Sequence, residues 1–158
     1  MYDVAVLRRS ARGVSRPIPP FSEQMMDDRE KKKRLAYLAG LAHDRELDLY
    51  LSELEGRFRE WRQGTISSTE LSEFIHEFHD GAAQAIYSTY AHLKPIEAVA
   101  RAIGVGLLKE DEVPPEIEQE LAALISHFRH SYKIDEADPL ARLRREVIRA
   151  GAKGSAKD

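Results

Sequence analysis

The chain has 158 residues, of which 42% are hydrophobic and 32% charged, and a formal net charge of −3. That length suits one domain with a core of its own, and the balance belongs to a soluble globular protein, with a cytoplasmic setting expected and no membrane partner. No apolar run approaches the roughly 20 residues that span a bilayer, and with no cysteine, disulfides, thiolate metal sites and cysteine nucleophiles are excluded.

Charge is unevenly spread. Residues 1–21 carry four Arg and one Asp, and residues 139–158 carry six Lys or Arg and two acids. The stretch between them holds 14 basic and 24 acidic residues. An acidic body with basic ends repels nucleic acid over most of its surface, so nucleic acid is not the expected partner, whereas a second copy of the chain offers both signs.

Residues 1–21 read as a flexible basic tail: Arg8, Arg9, Arg12 and Arg16 with Pro17, Pro19 and Pro20 resist regular structure. The apolar run Val4–Leu7 is too short for a secretory segment, and Met25 or Met26 offers an alternative start of translation. Ser22 is the expected N-cap of a long first helix that runs to Arg62 and stops at Gly64. Leu47, Leu51, Leu54, Phe58 and Trp61 follow one another at spacings of 4, 3, 4 and 3, a heptad seam. Leu35, Leu38, Ala42 and Leu49 form another stripe on a different face. Either the helix breaks near Gly40–Asp44 or it meets different partners on two sides.

Ser67 and Glu70 make a capping box for a second helix. Its apolar face runs through Leu71, Phe74, Ile75, Phe78, Ala82, Ala85, Ile86 and Thr89 to about His92, and the short link before it predicts an antiparallel pair. Lys94–Pro95 starts a third helix that carries Ile96, Val99, Ala100, Ile103 and Leu107. After Val113-Pro114-Pro115 comes a fourth, with Ile117, Leu121, Leu124, Ile125 and Phe128. Asp138-Pro139 then opens a short last helix with Leu140, Leu143 and Val147. No strand pattern or repeat stands out. The expectation is all-α: a helical bundle built on a long antiparallel helical hairpin, one domain over residues 22–150, with disordered tails at 1–21 and 151–158.

Four stretches bear on chemistry. In "FIHEFHDG" (Phe74–Gly81), Glu73 and His76 have the i, i+3 spacing of a carboxylate-bridged bundle site, with His79 and Asp80 one step on and His43 a candidate to face them. A divalent metal is therefore the alternative cofactor, held by His43, Glu73, His76, His79 and Asp80. Helical phase instead turns Glu73, His76 and Asp80 away from the core and leaves His79 at its flank, so half-buried boundary histidines are the preferred reading. His127 and His130 repeat the spacing without an acid one turn away.

"GTISSTEL" (Gly64–Leu71) resembles the back half of an EF-hand loop over eight residues, yet Arg59, Trp61 and Gln63 stand where oxygen ligands belong, which excludes calcium. "AVARAIGV" (Ala98–Val105) resembles the first helix of a helix-turn-helix, but the following "GLLKEDEVPP" is acidic and would repel phosphates. Gly104 and Gly106 are better explained by a loosened helix end or a close helix contact. "AHLKP" is similar to a histidine phosphotransfer motif, with Lys94 one residue early and Pro95 in place of glycine.

The last helix places Arg142, Arg144, Arg145 and Arg149 around Leu143, Val147 and Ile148, a possible nucleic-acid face whose solvated alternative is preferred for want of interleaved aromatics. The expected role is a self-associating interaction or regulatory module without catalysis, a homo-oligomer using Leu35, Leu38 and Leu49. A metal protein and a nucleic-acid binder are the alternatives.

Overall fold

A computed structural model describes residues 26–135 and 137–153. Ser22, the residue 1–21 tail and the end of the 151–158 tail lie outside the described residues. Those described are all-α, and none of their helices is long and apolar enough to cross a membrane.

The first helix, α1 (Asp28–Arg62), has 35 residues and so extends about 52 Å. Its cap is Asp27, not Ser22: the Asp27 carboxylate accepts from the Glu30 amide at 2.7 Å, and Asp28 and Glu30 place negative charge at the positive end of the helix dipole. At the far end, Gly64 takes the left-handed conformation (φ 75°) that lets the chain turn back. Nothing breaks α1 near Gly40. Its two stripes serve different neighbours, α4 and then α2 and α6.

The capping box forms as the sequence requires, with the Glu70 amide donating to Ser67 Oγ at 3.2 Å and the Ser67 amide to Glu70 Oε2 at 2.6 Å. It opens α2 (Ser68–Glu77). The expected unbroken second helix is interrupted by a π-helical turn at Phe78–Ala83 before α3 (Gln84–His92). A π turn bonds i to i+5, so each residue advances by a smaller angle and the phase of later side chains rotates.

Helix α4 (Pro95–Gly104) is the centre of the molecule, buried on all sides from Ala98 to Gly104 and packed between α1 and α5 (Pro115–Tyr132). A helix apolar all round belongs in such a place. Gly104 permits the approach: a Cβ there would meet Phe128 Cβ at 3.1 Å. The helix ends three residues before Leu107. At Gly106 φ is 80°, and a Cβ would lie 2.7 Å from Pro139 Cβ, so Leu107 and Leu108 fold back into the core. A single 3₁₀ turn (Glu110–Glu112) leads to α5, which stops at Lys133 in the left-handed region (φ 50°). The last helix, α6 (Ala141–Lys153), starts just after the Asp138-Pro139 signal and buries Leu143 and Val147.

Leu35 and Leu38, expected at a surface between copies, are buried in the core of the single chain, and half-buried Leu49 packs against it. The reason is α4, whose small residues let α1 settle close upon it.

Candidate functional site

Two adjacent residues of α1 hold the strongest polar interactions of the fold. Glu46 follows Ala42 by one turn, on the stripe that faces α4, and so enters the core. Arg101 sits amid the apolar run of α4 and meets it. Arg101 Nη1 and Nη2 donate to the two Glu46 oxygens at 2.7 and 2.8 Å, with both side chains more than nine-tenths buried. From α3 the Tyr90 hydroxyl donates to Glu46 Oε2 at 2.9 Å, and the Arg101 guanidinium lies over the Tyr90 and Tyr132 rings. The pair thus ties α1, α3 and α4 together, with α5 supplying Tyr132.

Burial by itself would weaken the Arg101 charge, but the Glu46 carboxylate more than offsets it and holds the guanidinium above its ordinary range. Burial and the same carboxylate push the Tyr90 phenol well up, and burial does so at Tyr50, helped by Glu146 and Glu46. Both phenols therefore stay neutral. On the neighbouring face, Arg45 donates to both Glu112 oxygens at 2.7 and 2.6 Å and to the Leu107 carbonyl at 2.9 Å. The Arg45 hydrogen bond holds the Glu112 carboxyl below its usual value. This clamp fastens the loop after α4 to α1.

The histidine motif is elsewhere and built differently. His79 Nδ1 lies 2.9 Å from Asp80 Oδ1, and His76 Nδ1 lies 4.0 Å from Asp80 Oδ2. His79 holds the Asp80 carboxyl below its ordinary value. All three side chains are exposed, His79 by 78%, which corrects the expected half-buried position. It stands in the π turn Phe78–Ala83, none of whose residues is buried. Glu73 is exposed too.

His43 is half-buried, as expected, but faces Tyr90 edge-on at 5.1 Å and not His79. Phe78, next to His79, shares a small cavity with Leu54, eleven residues or about 16 Å along α1 from His43. Among the described residues, no three His, Asp or Glu side chains converge as a metal ion requires.

The basic last helix is partly spent within the chain. Arg142 donates to Glu146 at 2.8 Å and to the Tyr132 carbonyl at 3.2 Å, with its guanidinium 4.3 Å from the Tyr132 ring centre. Arg144 reaches Asp138 at 3.3 Å, whereas Arg145 and Arg149 are exposed.

Sequence reasoning missed the Glu46–Arg101–Tyr90 cluster, although a signal was present. Glu46 continues the Leu35–Leu38–Ala42 stripe, and Arg101 is the one charge in the buried run Ala98–Gly104, whose other members are apolar or small. A charge in phase with a core stripe must find a buried partner. Comparison of the chain with protein-family models, curated proteins and solved structures gives no match in any of the three.

Proposed function

We propose that this protein is a non-catalytic interaction module that pairs with a second copy of itself through the distal half of α1. One observation carries the reading: no member of the Leu47, Leu51, Leu54, Phe58 and Trp61 seam is buried within the chain. Leu51 and Trp61 are 40% and 41% exposed, and Ile75 of α2 adds another 40% exposed side chain. Leu47, Leu54 and Phe58 are half-buried, Leu54 beside Phe74 and Val147, so the outward edge of the seam at Leu51 and Trp61 is what remains to receive another helix of the same kind.

Charge supports a second copy as the occupant. Along α1 the exposed acid Asp48 precedes the exposed base Arg62, while Glu55 and Arg59, also exposed, pair with each other at 3.3 Å. Two copies crossing antiparallel would set the acids of each against the arginines of the other, which is what a two-fold interface requires. The exposed edge of the seam also fits a long antiparallel hairpin as its platform. Trp61 bonds Ser68, Arg57 lies over Phe74 and Glu46 meets Tyr90, so contacts descend one arm while they climb the other.

The buried polar cluster supports a non-catalytic reading, since both Glu46 oxygens are occupied by donors of the same chain. Size-exclusion chromatography with light scattering at micromolar concentration tests the proposal. The expected mass is a multiple of 18.0 kDa, reduced to the monomer by Leu51→Glu or Trp61→Glu. Because Leu35 and Leu38 are already covered within one chain, a wild-type monomer would remove the proposal's main support.

A further inference from the structure

A second open surface lies towards the other end of α1, on the same face as Leu51. Helices α1 and α3 and the start of α4 enclose a groove of about 710 Å³, walled by Tyr37, His43, Tyr87 and Tyr90, with Gly40 on its floor and Asp44 at one end. Tyr87 is 67% exposed. A side chain at Gly40 would meet nothing within 4 Å, so packing within the chain does not demand glycine there, although glycine destabilises a helix interior relative to alanine. At about 100° per residue, Gly40, Asp44, Leu51 and Arg62 fall within about 40° of one another around α1, opposite the Leu35–Leu38–Ala42 stripe. The groove is therefore continuous with the exposed edge of the seam.

We propose that Trp61 of a second copy seats in this groove, so that two reciprocal tryptophan contacts lock a two-fold pair. The contact rests on the pairing of copies through the distal half of α1, and helix geometry sets its place. Gly40 and Arg62 each lie eleven residues, about 16 Å, from Leu51. Two α1 helices crossing antiparallel at Leu51 thus bring Trp61 and Arg62 of each over Leu41 and Gly40 of the other. The bare floor admits the indole, and the tyrosine rings can meet it edge-on or stacked. Trp61 suits the part. It is 41% exposed, and its Nε1 donates to Ser68 Oγ at 3.1 Å within its own chain, which leaves its apolar surface as the part that still needs cover. Tryptophan set in a pocket is among the residues that most often anchor an interface. Charge agrees with the register. Arg62 of one copy arrives one helical turn from Asp44 of the other, an exposed carboxylate 3.7 Å from its own His43.

Trp61 is the chain's one tryptophan, and it lies about 31 Å along α1 from Gly40 of its own chain. The chain has no cysteine, so Ala91→Cys, at an exposed position lining the groove, takes a single bimane label, which tryptophan quenches on contact. The labelled full-length chain also carries Trp61→Phe and is mixed with an excess of unlabelled chain, with light scattering recording the mass of the same samples. The expected result is quenched emission with a wild-type partner and no quenching with a Trp61→Phe partner. Quenching should also be lost when the labelled chain carries Gly40→Leu, which fills the floor. A dimer whose label emits equally with either partner overturns this contact alone, as does quenching that persists undiminished with Gly40→Leu. A monomer in every sample overturns it together with the pairing on which it rests.

Discussion

The two polar clusters of this protein are made of similar chemistry and live in opposite environments. At the crossing of α1 and α4, a carboxylate, a guanidinium and a phenol are withdrawn from water and satisfy one another. On the π turn, two imidazoles flank a carboxylate in full solvent. The exposed cluster looks the more functional when only residue types are read, and the buried one holds the architecture. Burial makes the difference: the same ion pair that contributes little in water becomes costly to break once its surroundings cannot solvate a lone charge.

The largest effect expected follows directly. Glu46→Ala or Arg101→Ala strands one buried charge and should lower unfolding stability by about 3–5 kcal/mol, measured by urea titration. Replacing both, as Glu46→Leu with Arg101→Met, should be far milder than either single change, since no charge is then left alone. A double variant as unstable as the sum of the singles would show that the pair does more than compensate its own desolvation.

Next in size is Gly104→Ala, which pushes a methyl group towards Phe128 and should cost about 1–3 kcal/mol by overpacking. Alkali supplies a further probe. The Tyr90 phenol is held above its ordinary value when folded, so the unfolded chain loses that proton first and the native state binds more protons in between. Stability should be level up to about pH 10 and then fall by at most about 1.4 kcal/mol per pH unit for this group, a slope that Tyr90→Phe reduces.

The edge clamp should behave in the opposite sense. Glu112 is held below its ordinary value, so its contribution is complete at neutral pH and lost as pH falls through and below the usual carboxylate range. With Arg45 one-third exposed, Arg45→Met should cost only about 1 kcal/mol and flatten the acid limb of the stability profile. Smallest of all, His76→Ala and His79→Ala should change stability by less than about 0.5 kcal/mol. A larger loss at either histidine would erase the contrast between the clusters.

Much of the fold was legible in the sequence because it depends on local rules. The Ser67–Glu70 box, Pro95 and Pro115 at helix starts and Gly64 at a helix end each act through their own backbone neighbours. The same locality explains the misplaced histidine. The π turn at Phe78–Ala83 holds Gly81 but no proline or capping pattern to announce it, and it packs against α1 and α6. Of the candidate site residues, the bounded helix faces of His76, Asp80 and Glu73 could be read from phase, while His43 could not be assigned a partner until α3 was placed beside α1.

What the sequence determined by itself was the all-α class, the helix punctuation and which residues were apolar enough to need cover. Only the tertiary structure decided what covered them. It spent Leu35 and Leu38 in the core, left Leu51 and Trp61 exposed, and matched Glu46 to Arg101 across 55 residues. Helix formation is fixed by interactions within a few residues, whereas burial and charge pairing are settled only when distant segments compete for the same surface.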